Sequence, residues 1–468
     1  MTALSVEEFI IQVGRDQRVV AEWQHAGSSQ QVSGELDIDD LRLRTIDVLV
    51  DLLRSNQLVK IHELKLLGEH LFVTLFGSST LRDDVHGRSG PGALLRRAIK
   101  GDHADAEGGG GRLLRVVLEM GAGAERLASW PWEYLYVPLD SQDPDSGFFL
   151  GESKKFMLTR KLPLAVASRT IQVGPPLRVL FVVLSPNNLD MIEYEAVLET
   201  MLELRDADDE TRIDLRVLSQ GHGPDGTPYP PDEDLAVQAT WPSFLNSVEQ
   251  FDPHVVHIIS HGRYSEGREG GPRGQVAFPR DDATADWIAD RDLANQLNES
   301  GSSLRLVFLQ SCESAASSSN AYHVISGMAQ SLAQKNIPAV VAMNFKIKSL
   351  LANTFARAFY QNLVARSPIE VAMHAARRQL YLSGITDESH RRGFGLPVLY
   401  LRESSPLLSP AMLSPSSATG SGGGRVTAPR GPDNRSGAGQ LVVDRPGADR
   451  PDSVAFTGRR PSGDRPVA

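Results

Sequence analysis

The chain has 468 residues, a net charge of −10 and a single cysteine, Cys312. One cysteine excludes an intrachain disulfide and any multi-cysteine zinc site, and it suits a reducing compartment. The acidic balance argues against a general nucleic-acid binder, which carries a basic excess. With 41% hydrophobic and 23% charged residues, the composition is that of a soluble globular protein with room for two or three domains.

The first residues, MTALSVEEFIIQVGRDQ, lack the basic start and apolar core of a signal peptide. No apolar run approaches the roughly 18 residues of a membrane helix, so a cytoplasmic location without membrane contact is expected. Residues 1–37 alternate apolar and polar positions around a GRDQ turn, which predicts a β-hairpin. Residues 39–55 and 62–77 carry apolar positions at helical spacing. Residues 1–100 are therefore expected to form a smaller N-terminal α+β region. The glycine-rich stretch at 101–112 reads as a flexible loop, and no Gly-Lys-Ser/Thr follows it, so a P-loop is not indicated. LLRVVLEM (113–120) predicts a strand, and the aromatic WPWEYLYVP (130–138) a helical turn docked on a sheet.

From 177 onwards nearly continuous apolar runs alternate with helical patterns. The predicted strands are 177–185, 213–219, 254–260, 304–310 and 337–345, with a last one at 396–403. Such runs suit a parallel sheet covered by helices on both faces, and the alternation indicates crossover connections. SPIEVAMHAARRQLYLSG is expected to be a helix with Ser367 as its N-cap, Pro368 at its first position and Gly384 as its stop. Residues 404–468, rich in Ser, Pro, Gly, Arg and Asp, cannot bury enough apolar surface to order themselves and are expected to be a disordered tail.

Two strands end in polar residues, and in an open parallel sheet sites form just past the carboxyl ends of strands. HVVHIIS runs into His261 and Gly262, and LRLVFLQS runs into Cys312, Glu313, Ser314 and Ala315. If the two strands are neighbours, His261 faces Cys312. An imidazole raises the thiolate fraction of a cysteine whose ordinary pKa is about 8.5. The backbone N–H of Gly262, unobstructed by a side chain, and that of Cys312 can stabilise an oxyanion. Each residue alone also fits an inert core role. A metal site built from His254, His257 and His261 would need a helix. VVHII reads as a strand, where His257 and His261 share a face and His254 points the other way. Gly-x-Ser-x-Gly is absent, which removes the serine-hydrolase elbow. Lys346 follows the strand IPAVVAMNF and either enters the same cleft or is an exposed loop lysine.

These residues resemble the CHAT family of caspase- and separase-like cysteine peptidases. The matching segments, in order over roughly 110–403, are WPWEYLY, LRVLFVVLSP, EYEAVLETMLEL, VVHIISHG, LRLVFLQSCESA, SLAQKNIPAVVAMNFKI, ANTFARAFYQNLVARSPIEVAMHAARRQLYL and LPVLY. The resemblance implies a caspase-like α/β domain over 110–403 with a mostly parallel sheet. It implies His261 as general base, Cys312 as nucleophile and Gly262 as an oxyanion-hole residue, with no metal or organic cofactor. The implied reaction is peptide-bond cleavage through a thioester. Related separase-like enzymes tend to place a carboxylate after the strand that IPAVVAMNF matches, and it selects a basic residue. Here the nearest match is Lys346, so Lys346 and Glu313 become the candidate substrate-pocket residues and basic preference is expected to be lost in favour of an acidic or neutral residue. No sensing module is evident, so control is expected from the N-terminal region, the tail or a separate activator protein. The alternative is a non-catalytic CHAT scaffold that holds a protein partner in the same cleft.

Overall fold

The computed structural model describes residues 5–58, 60–77, 90–104, 112–121, 123–139, 146–162, 170–206, 213–219, 239–267, 271–311, 321–344, 347–403 and 407. The N-terminal region holds strands β1 (Ser5–Val13), β2 (Arg18–His25) and β3 (Ser28–Glu35), then helices α1 (Asp40–Arg54), α2 (Ile61–Phe76) and α3 (Pro91–Ala104). Next come β4 (Arg112–Met120), the short helix α4 (Glu125–Ala128), a 3-10 turn at Trp132–Tyr134, β5 (Tyr136–Val137), β6 (Phe148–Phe149) and β7 (Phe156–Lys161). The alternating part begins with β8 (Leu177–Leu184), α5 (Glu195–Asp206), β9 (Ile213–Ser219), α6 (Trp241–Phe251) and β10 (Val255–Ser260). Three strands then follow directly: β11 (Gly262–Gly267), β12 (Gly271–Pro279) and β13 (Ala285–Ala289). The chain continues through α7 (Asp290–Ser300), β14 (Leu306–Ser311), α8 (Ala321–Gln334), β15 (Ala339–Met343), α9 (Ser349–Val364) and α10 (Ile369–Thr386). A 3-10 segment (Glu388–Gly395) leads into β16 (Pro397–Leu401).

Eleven strands form one sheet in the order β3-β2-β1-β4-β7-β16-β15-β14-β10-β8-β9. Pairing is parallel except for β16 against β15 and the β1-β2-β3 meander. This is a mostly parallel α/β fold. The five apolar runs form β8, β9, β10, β14 and β15, at its centre and one edge, where both faces are covered. On one face Phe181, Phe308, Val341 and Leu399 pack under α5, α9 and α10. On the other, Val182, Ile258, Leu309 and Ala342 pack under α6, α7 and α8. The N-terminal strands extend the same sheet through β1 beside β4, and Met1–Met412 form one compact unit. Of residues 404–468, expected to be a tail, all but 407 lie outside the described residues, as does most of the glycine-rich stretch at 101–112.

Three local expectations change. The N-terminal hairpin gains a third strand, β3, whose polar sequence SSQQVSGE carries little apolar signal. Pro368 is the N-cap of α10, at φ −53° and ψ 147°, so the cap sits one residue later than Ser367. Gly384 lies inside α10 and does not stop it. A Cβ there would meet Arg391 Cα at 2.7 Å, so the glycine is required by the close approach of the 3-10 segment.

WPWEYLY and the Ala-Arg-Arg helix meet beneath the sheet. Glu133, fully buried, receives two hydrogen bonds from Arg160, at 3.0 and 2.6 Å, and lies 3.7 Å from Arg377. Arg377 also donates to the carbonyls of Pro397 and Leu158, and Arg160 to those of Ala128 and Trp130. Burial pushes the Arg377 guanidinium down to about 10, while Glu133 opposes the shift. Buried charges persist when paired and fully hydrogen-bonded, and this cluster ties β7, α10 and β16 together.

Candidate active site

β10 lies beside β14 in parallel register, from Val255 opposite Leu306 to Ser260 opposite Ser311. The next residues in the chain are His261 and Cys312. His261 is described; Cys312, Glu313 and Lys346 lie outside the described residues. The fully buried β10 carries the chain to the sheet edge, and β11 turns away into a separate three-stranded sheet with β12 and β13. His261 is the residue at which the chain passes from one sheet to the other.

Only 1% of His261 is exposed. Its Nε2 is 2.7 Å from the carbonyl oxygen of Asp190, in the segment between β8 and α5. A carbonyl oxygen only accepts, so in the neutral ring Nε2 carries the proton and the lone pair resides on Nδ1. The Ala277 N–H donates to the His261 carbonyl at 3.0 Å, and Gly262 stands opposite Val276. Antiparallel pairs alternate between bonded and non-bonded positions. Because 261/277 is a bonded pair, 262/276 is not, and the Gly262 N–H is directed away from β12. It is therefore not committed to that ladder.

Below this edge the face is built from aromatic and polar groups. His257 is fully buried, with its ring stacked on Phe308 at 4.1 Å and its Nδ1 3.1 Å from the Tyr360 hydroxyl. Burial pushes its pKa down to about 3, so the ring is neutral near pH 7. Gln310, opposite Ile259 and two residues before Cys312, is 1% exposed, and its amide interacts with the His257 ring and opposes the effect of burial there. Nothing in the sequence singled out Gln310, because one amide at the end of an apolar strand carries no pattern.

His254 does not join the other two histidines. It precedes β10, and its Nδ1 accepts the Arg178 N–H at 3.2 Å. Burial, assisted by the Arg178 charge, pushes its pKa down to about 4. Among the described residues no group of three or more His, Cys, Asp or Glu side chains could hold a metal ion. Among them, too, no helix is long and apolar enough to cross a membrane.

The CHAT domain family profile matches residues 92–406, well over half of the chain, and the protein belongs to that family. A search of curated proteins finds no match. Among solved structures the chain is similar to the Saccharomyces cerevisiae separase–securin complex. In its 2.6 Å crystal structure the identity is 10% and the TM-score 0.41, over 85% of this chain and 30% of that chain. In the 3.0 Å structure the TM-score is 0.44 with the same identity and coverage. The chain thus spans 30% of the length of the structures it matches.

Proposed function

We propose that the protein is a cysteine endopeptidase in which Cys312 is the nucleophile and His261 the general base. The observation that carries this reading is the 2.7 Å contact of His261 Nε2 with the Asp190 carbonyl, at the strand end whose register partner runs into the sole thiol. A carbonyl only accepts, so the contact supports a proton on Nε2 and a base at Nδ1. In the proposed reaction the Cys312 thiol proton passes to Nδ1 while Sγ attacks the scissile carbonyl carbon. The N–H groups of Gly262 and Cys312 bind the oxyanion. His261 then returns the proton to the leaving amine, the C–N bond breaks and a thioester forms. Water, deprotonated by His261, hydrolyses the thioester and regenerates the thiol.

Glu313 and Lys346 are proposed to line the substrate pocket. A lysine where separase-like relatives tend to place a carboxylate disfavours basic substrate residues. The proposed setting is the cytoplasm of a bacterium, in a defence, cell-death or other regulated-proteolysis circuit. There the enzyme acts on protein substrates, a separate activator raising its basal activity, without nucleic acid, membrane or cofactor; the circuit rests on family analogy.

The purified full chain should cleave members of a proteome-derived peptide library, with new termini read by mass spectrometry. Cys312→Ala and His261→Ala should cleave none while melting like wild type. Equal cleavage by Cys312→Ala would remove the nucleophile assignment. A well-folded wild type that binds a protein partner and cleaves nothing would favour a scaffold.

A further inference from the structure

The three-stranded sheet that begins at Gly262 carries a basic group beside the proposed site. Arg263 is exposed, and its guanidinium carbon lies 4.1 Å from the centre of the Trp287 ring. Its Nε donates to Gln275 Oε1 at 2.8 Å, and Gln275 Nε2 reaches the Trp287 carbonyl at 3.5 Å. One residue from β12 and one from β13 therefore hold this β11 cation in place. The aromatic face attracts it and the amide fixes its plane. No carboxylate among the described residues pairs with it. Arg280, just past the end of β12, by contrast pairs with Asp286 at 3.0 Å.

The register sets where this group lies. Gly262 pairs with Val276, Arg263 with Gln275, and Ala277 with Trp287. The bond from Ala277 N–H to the His261 carbonyl continues the same ladder by one pair. Side chains alternate along a strand, so His261, Arg263, Gln275 and Trp287 occupy one face of the small sheet. Val276 and Phe278 occupy the other face, buried in the core. Arg263 follows His261 by two residues on that face, about 7 Å along the strand. That is also the distance spanned by two residues of an extended peptide.

We propose that Arg263, held by Gln275 and Trp287, recognises an acidic side chain of the substrate within two residues of the cleaved bond. The proposal rests on the peptidase reading, which supplies the peptide. A guanidinium already fixed in orientation loses little freedom on binding and presents paired N–H donors to a carboxylate.

Two measurements test this separately from peptidase activity. In the peptide-library experiment, cleaved sites should be enriched in Asp and Glu within two residues of the cut. Arg263→Gln should lose that enrichment, and Arg263→Glu should shift it to Lys and Arg. Cleavage that depends on Cys312 but shows no acidic enrichment, or the same enrichment in Arg263→Gln, overturns the proposal and leaves the peptidase standing. If wild type cleaves nothing, the peptidase reading fails, and the sole thiol still tests the cation. The rate of its modification by anionic iodoacetate, relative to neutral iodoacetamide, should fall about two- to threefold in Arg263→Gln, as expected if the proposed cation stands roughly 7–10 Å from the thiol in water. An unchanged ratio, or no modification by either reagent in the folded protein, overturns the proposal.

Discussion

Nε2 of His261 lies 2.7 Å from the main-chain oxygen of Asp190, a residue 71 positions earlier in the chain. The bond runs from the sheet edge to the segment after β8, so a backbone group holds the ring at Nε2. Histidine-selective 15N labelling, with His261→Ala to assign the signal, should show an Nε2-protonated neutral ring. Asp190→Ala keeps the carbonyl and should leave that signal in place. An Nδ1-protonated ring would contradict the assignment of the base.

Glu133 is the only carboxylate that the described structure places against both Arg160 and Arg377. Removing it takes this counter-charge away from two buried guanidinium groups. Glu133→Ala should destabilise the fold by about 3–5 kcal/mol, read as a lower urea midpoint. A loss no larger than that of a surface substitution would show that the cluster contributes little.

Gly384→Ala separates two roles for one residue. As a helix stop the glycine would tolerate alanine at small cost. As the point where the 3-10 segment crosses α10, with Arg391 Cα 2.7 Å from the added Cβ, it should lose about 1–3 kcal/mol. Chemical denaturation gives the answer.

The buried histidine makes stability depend on acid. His257 has its folded pKa lowered to about 3, against about 6.5 unfolded. The unfolded chain therefore binds the extra proton between these values. The stability that neutral His257 contributes is complete above the unfolded pKa and is lost as pH falls through it toward the folded one. The double substitution His257→Phe with Tyr360→Phe keeps the aromatic stack and removes the titrating ring. Its stability should fall less steeply between pH 6 and 4, by about one proton, or ~1.4 kcal/mol per pH unit. Parallel profiles for the two proteins would show that His257 titrates normally.

The parallel core was legible because VVHII, LVFLQ and AVVAM are apolar on both faces, and few other structures tolerate such runs. What sequence reading missed is polar in sequence but paired in space. β3 is mostly Ser, Gln and Glu, β11 is GRYSEG, and β12 opens with GPRGQ. Their strand character comes from neighbours, not from their own side chains. Glu133, Arg160 and Arg377 look like surface residues until three distant segments converge. The site was half legible. His261 at a strand end could be read from the apolar run before it. Its bond to Asp190 and the hold on Arg263 depend on contacts that no local pattern encodes.

The pairing of His261 with Cys312 is tested most directly by the pH dependence of iodoacetamide labelling, since the chain has one thiol and intact mass reports it alone. Labelling should be rapid at neutral pH and at least about tenfold slower in His261→Ala. A rate that ignores the substitution and rises only near the ordinary thiol pKa of about 8.5 would contradict the dyad.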